Sequence, residues 1–107
     1  MTVKDLQNFE QFTLISQVSD TPITKVFCCD LLSVAMGKAP MGCAWVTVMA
    51  NVNTLAVASL TDAAVIILSE GSSFDETLIK KAKEEGIAVF KTELPTFEAA
   101  TLINLNL

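Results

Sequence analysis

The side chains able to do chemistry are few and of limited kinds. The chain has no histidine and no tyrosine, and its seven basic residues are all lysine. Imidazole acid–base catalysis, imidazole metal ligation and guanidinium clamps are therefore excluded. Twelve carboxylates are present, and a pair of them could move protons, but nothing in their spacing selects a pair. Cys28, Cys29 and Cys43 lie in apolar runs, not in the electropositive setting that activates a thiol. They form no C-x-x-C and have no histidine partner, so no metal site is expected. Gly37-Lys38 lacks the rest of a phosphate loop, and there is no G-x-G-x-x-G. The expectation is a protein that is not an enzyme and that carries no cofactor.

What remains is a set of small polar and acidic residues whose placement depends on the elements around them. Thr2-x-x-Asp5 reads as a helix start, with Val3, Leu6 and Phe9 forming a short apolar stripe. Phe12–Ser16 reads as a short strand, and Asp20-Thr-Pro22 as a turn. Ile23–Cys29 is a second strand, β-branched and aromatic at Ile23, Val26 and Phe27. A short helix follows around Leu31–Gly37, then a turn at Ala39-Pro40-Met41-Gly42 and a third strand, Cys43–Met49. Asn51 or Asn53 can cap the next helix, which runs to about Leu60 and is apolar nearly all round. Such a helix is covered on more than one side, by its own sheet and by a partner chain. The unbroken apolar run Ala63–Leu68 suits a strand buried on both faces. Ser73-x-x-Glu76 resembles a capping box for a helix Phe74–Glu85 that Gly86 ends. Ile87–Lys91 is a fifth strand, and Pro95 or Thr96 opens a last helix with Ala99, Leu102 and Ile103 on one face.

From Cys43 onward, strands and helices alternate, with connections of the length that gives parallel strands through right-handed crossovers. The fold class is α/β, a largely parallel sheet flanked by helices, in one domain spanning 1–107. In such sheets ligands bind outside the carboxyl ends of the strands. Those ends carry Asp30, then Thr47, Asn51 and Asn53, then Glu70 and Gly71, then Thr92, each just before a helix start where free N–H groups collect. These seven are the candidate ligand-binding residues. Asn51, Asn53, Ser73 and Thr96 are also ordinary helix caps, the commoner use. Gly71 also suits a plain turn, and Asp30 a cap on the Leu31 helix. Asp30 and Glu70 would repel a bare phosphate at this edge.

Of the 107 residues, 51% are hydrophobic and 18% charged, which excludes disorder. Mean hydropathy is +0.51, so a domain this small leaves apolar surface uncovered and a homo-oligomer, a dimer, is expected. A net charge of −5 argues against nucleic acid. Lys80, Lys81 and Lys83 alternate with Glu76, Glu84 and Glu85 as on a solvated helix face. Ala39–Thr61 carries no charge, but Pro40, Gly42, Asn51 and Asn53 break it, so it is not a membrane span. With no signal peptide apparent and an odd number of thiols expected to be buried and free, the location expected is cytoplasmic.

Several strings taken together resemble the DRTGG domain. They are Val26-Phe-Cys-Cys-Asp30-Leu-Leu-Ser33-Val-Ala-Met36, Gly42-x-x-Trp45-Val-Thr47 and Asn51-x-Asn53-x-x-Ala56-Val-Ala58. Ala63-Ala-Val-Ile-Ile-Leu68, Gly71, Lys81-Ala-Lys-Glu-Glu-Gly86-Ile, Thr92 and Thr96-Phe-Glu98 extend the pattern. The resemblance runs from about Ile23 to Ala100, and the sequence is similar to the small stand-alone DRTGG proteins of anaerobic bacteria. The module also occurs as an accessory domain in CBS-containing pyrophosphatases and in long phosphate acetyltransferases. It implies a fold similar to the N-terminal domains of HPr kinase/phosphorylase and of Mur ligases. It further implies a regulatory or dimer-forming role, with chemistry done elsewhere. The Asp-Arg-Thr-Gly-Gly string that names the family is absent, since the chain has no arginine. The function expected is a non-catalytic regulatory or protein-interaction module that self-associates. The alternative is a nucleotide or metabolite sensor at the carboxyl edge. The partners expected are a second copy, a nucleotide or small metabolite, and a partner enzyme.

Overall fold

The structure is a computed structural model that describes every residue, Met1–Leu107. A short 3-10 helix, Val3–Asn8, opens the chain. The Asp5 carboxylate accepts hydrogen bonds from the backbone N–H of Thr2 (2.8 Å) and from its hydroxyl (3.2 Å), so the Thr2-x-x-Asp5 signal does mark a helix start. That backbone N–H holds the Asp5 carboxyl below the usual carboxylate range.

Strands β1 (Thr13–Leu14), β2 (Lys25–Cys28), β3 (Cys43–Thr47), β4 (Val65–Leu68) and β5 (Val89–Lys91) form one sheet in the order β1-β5-β4-β3-β2. The pairs from β2 to β5 are parallel, and β1 joins β5 antiparallel. Helices α1 (Leu32–Lys38), α2 (Val52–Thr61) and α3 (Glu76–Glu84) are the three crossovers, and α4 (Thr96–Asn104) ends the fold.

The period-2 alternation of strands divides the sheet residues cleanly between two cores. Cys43, Trp45, Ile66, Leu68 and Val89 face one side, where they meet Ala35 of α1, Leu55, Val57 and Ala58 of α2 and Ala82 of α3. Ala44, Val46, Val65, Ile67 and Phe90 face the other, where they meet Val3 and Leu6 of the 3-10 helix and Ala99 and Ile103 of α4. Both faces of β3 and β4 are thus covered, which explains their unbroken apolar composition. Each Val, Leu, Ile or Phe side chain buried this fully contributes about 1.5–3 kcal/mol of transfer free energy. The indole of Trp45 donates to the carbonyl of Cys29 at 2.8 Å, so its one polar atom is satisfied in the core.

The element boundaries are shorter than the sequence predicts, above all for β1, which keeps two residues of Phe12–Ser16. The Ser73 capping box does not form. Asp75 caps α3 instead, accepting from the Leu78 N–H at 2.9 Å, and Phe74 stays outside the helix, buried in the core. The thiols are not uniformly buried as expected. Cys28 is exposed on edge strand β2, Cys29 is half-buried with its Sγ donating to the Leu31 carbonyl, and Cys43 alone is buried. Burial pushes the Cys43 thiol up to about 11, which keeps it protonated and inert. No helix is long and apolar enough to cross a membrane.

The two-core arrangement predicts a contrast within α4. Ile103, fully buried against the sheet, should lose about 2–5 kcal/mol on replacement by alanine. Phe97, exposed on the same helix, should change by no more than about 0.5 kcal/mol. Urea unfolding of Ile103→Ala and Phe97→Ala measures both.

Candidate functional site

The seven predicted residues do lie along the carboxyl edge of the sheet, but the structure gathers them into two clusters. The first surrounds the ends of β2 and β3. Asp30 does not cap the Leu31 helix, whose N-cap, Leu31, makes no side-chain bond. Its Oδ1 reaches across to β3, accepting from the Thr47 hydroxyl at 2.9 Å and the Val48 N–H at 3.0 Å. The buried Thr47 hydroxyl also accepts from the Met49 N–H at 3.1 Å. Asn51 caps α2, accepting from the N–H groups of Asn53 (2.9 Å) and Thr54 (3.3 Å). Asn53 itself does not cap. It sits in the first turn of α2, exposed, and borders a shallow groove beside Met36 and Ala56.

The second cluster joins β4, β5 and α4. Glu70 and Gly71 both have left-handed backbones, φ 58° and 76°. For a glutamate that conformation is strained by about 1–3 kcal/mol. The offset is visible: Glu70 Oε2 accepts from the Thr96 N–H at 3.2 Å, placing a carboxylate at the positive end of α4. Sequence reasoning treats Thr96 as a cap. Here Glu70 supplies the acceptor, and the Thr96 hydroxyl bonds Ser69 Oγ at 2.7 Å. The Gly71 N–H donates to the Thr92 carbonyl at 3.0 Å. A Cβ on Gly71 would lie 3.1 Å from Glu93 Oε2, so the glycine serves both the turn and the approach of that carboxylate. The buried Thr92 hydroxyl accepts from the Leu94 N–H at 3.1 Å.

The clusters are stitched together. The Ser72 hydroxyl donates to the Val48 carbonyl at 2.9 Å, and the Ser69 N–H to the Thr47 carbonyl at 3.1 Å. Thr54, Ser69 and Ser72 take part in this network and are not among the seven predicted contacts. Their only signal was position beside the strand ends. No buried side-chain nitrogen or oxygen lacks a partner. Much of the polar capacity at the edge is therefore used internally, leaving Asp30 Oδ2 and the Asn53 amide among the free groups. No cluster of three or more potential metal ligands is present.

One cavity opens at this edge, about 540 Å3, beyond the end of β5. It includes Thr92, together with Glu10, Gln11, Thr13, Lys91 and Glu93, none of which the sequence reading nominated. The N-terminal residues among them are placed there by the antiparallel register of β1 on β5, in which Thr13 opposes Lys91.

A mostly parallel sheet with its three crossover helices on one face and a terminal helix on the other defines an α/β class of fold. Within that class, the DRTGG domain family model matches residues 32–106, and the chain belongs to the DRTGG domain family. The fold also matches a crystal structure of the CBS and DRTGG domains of the regulatory region of Clostridium perfringens pyrophosphatase, complexed with the activator diadenosine tetraphosphate. The TM-score is 0.75 at 16% identity, and the match covers 95% of this chain and 45% of that one. The chain thus spans less than half of that structure. No curated protein matches the chain.

The Asp30 cluster makes a testable claim about the edge. Asp30→Ala removes the acceptor shared by Thr47 and Val48 and should cost about 1–3 kcal/mol. Asp30→Asn, which keeps one carbonyl oxygen, should cost less. Chemical denaturation of the two variants checks the order.

Proposed function

We propose that residues 1–107 act as one non-catalytic regulatory module that self-associates. A single observation carries the reading: the surface of α1 and α2 is apolar and almost uncharged. Between Leu31 and Thr61 the chain has one charged residue, Lys38. Leu31 and Leu60 are 64% and 72% exposed there, with Val34, Met36 and Val52 also uncovered. Leu32, Met36, Ala56 and Val57 line a groove of about 350 Å3 between the two helices. The charges are concentrated elsewhere, six of them on α3 alone, at Glu76, Lys80, Lys81, Lys83, Glu84 and the C-cap Glu85. A net charge of −5 makes two copies repel, and contact through the charge-poor face keeps the carboxylates far apart. A large exposed apolar patch is the usual mark of an interaction surface.

The alternative is a nucleotide or metabolite sensor at the carboxyl edge, with Asp30, Asn53 and Glu70 as contacts. The pyrophosphatase region that shares this fold is complexed with a nucleotide activator, which favours keeping that reading. In either case the regulated activity belongs to a partner enzyme, and a cytoplasmic setting fits the free thiols.

Sedimentation equilibrium across the micromolar range tests self-association. The wild-type chain should show a concentration-dependent dimer, and Leu60→Lys, at an exposed site that leaves the fold intact, should shift it to monomer. A wild-type chain that stays monomeric throughout, or a dimer indifferent to Leu60→Lys, contradicts the proposal.

A further inference from the structure

We propose that the cavity over β1 and β5 binds a zwitterionic ligand, an amino acid or dipeptide, with Lys91 holding its carboxylate. The inference deepens the sensor reading, since it shares Thr92 and the carboxyl edge, and it is independent of self-association.

The cavity follows from the topology. A crossover helix lies over the strands it joins, so α1, α2 and α3 cover β2 to β5 on one face. β1 arrives from the N-terminal segment with no crossover helix of its own. The helical layer therefore stops one strand short. By alternation along β5, Lys91 projects to the same face as Val89, the helix-covered face, at the corner where that cover ends. The space left, about 540 Å3, falls within the range of small-molecule sites, roughly 300–1,000 Å3.

The charges in the cavity select the ligand. Lys91 is half-buried. The ion pairs of the molecule join Lys4 to Asp20, Lys80 to Glu84 and Lys81 to Glu85, so Lys91 enters none. An ammonium without an anion partner gains a charge-assisted hydrogen bond when a ligand supplies one. Glu10 and Glu93, both exposed, border the same cavity. One ammonium and two carboxylates leave the lining negative overall. A polyphosphate drawn to Lys91 meets both carboxylates on a chain of net charge −5. A ligand that presents one carboxylate to Lys91 and an ammonium to Glu10 pairs the charges instead of opposing them. The Gln11 amide and Thr13 hydroxyl supply neutral donors, and Leu94 with Pro95 supplies an apolar wall for a side chain.

Glycyl-leucine titrated into the isotope-labelled full chain, followed by backbone amide shifts, tests the inference. Saturable shifts confined to Glu10–Thr13 and Lys91–Pro95 are expected. Lys91→Met should weaken binding by about tenfold or more while its amide spectrum stays dispersed. Glycyl-leucinamide, without the carboxylate, and N-acetylglycyl-leucine, without the ammonium, should both bind more weakly than the parent. Binding unchanged in Lys91→Met overturns the role given to that residue. No saturable shift with glycyl-leucine, while ATP shifts residues around Asp30 and Glu70, overturns the zwitterion site and leaves the sensor reading standing. No response to either probe overturns both.

Discussion

Three crossovers of one hand, all stepping the same way along the sheet, constrain everything else in the molecule. Strands β2 to β5 are laid down in sequence order, so right-handed connections place α1, α2 and α3 on a single face. The opposite face has to be closed by what is left, the 3-10 helix and α4, and their Val3, Leu6, Ala99 and Ile103 do so. The same winding brings every helix start after β2, β3, β4 and β5 to one edge of the sheet. It also makes the two lateral edges unlike. The β2 side is flanked by helices nearly free of charge. The β1 side has no helix over it and carries an unpaired lysine.

At the carboxyl edge, side chains from neighbouring segments supply acceptors to backbone N–H groups. Asp30 and Glu70 each lie two residues past a strand end, and each spends an oxygen on a backbone N–H of a neighbouring segment. Asp30 ties the end of β2 to that of β3, and Glu70 ties the turn after β4 to the start of α4. Glu70 accepts a left-handed backbone to do so. Acceptors contributed across segments couple the elements more tightly than caps drawn from each helix's own flank. Both acids therefore act first as fasteners of the sheet edge.

Much of the fold was legible because burial leaves periodic marks. The apolar runs at β3 and β4, the amphipathic α3 and the alternating order of elements were all readable, and so was Asn51 as the cap of α2. What escaped was set by partners distant in sequence. Nothing near Asp30 signals that Thr47 will take its carboxylate, since the pairing depends on the β2–β3 register. Asp75 displaced Ser73 as the cap of α3 because Phe74 was needed in the core. Residues Glu10, Gln11 and Thr13 gave no signal at all. They become part of a cavity only through the antiparallel addition of β1, a strand of two residues. The exposure of Cys28 likewise follows from β2 being an edge strand, which sequence order does not reveal.

The central claim is that a second copy of the chain covers the face formed by α1 and α2. Amide hydrogen exchange, read by mass spectrometry at low and at high protein concentration, tests it most directly, because protection added by association maps onto the residues that associate. Segments spanning α1 and the exposed side of α2 should exchange more slowly at high concentration, while the charged helix α3 is unchanged. Exchange independent of concentration along the whole chain, or new protection confined to α3, would contradict the account.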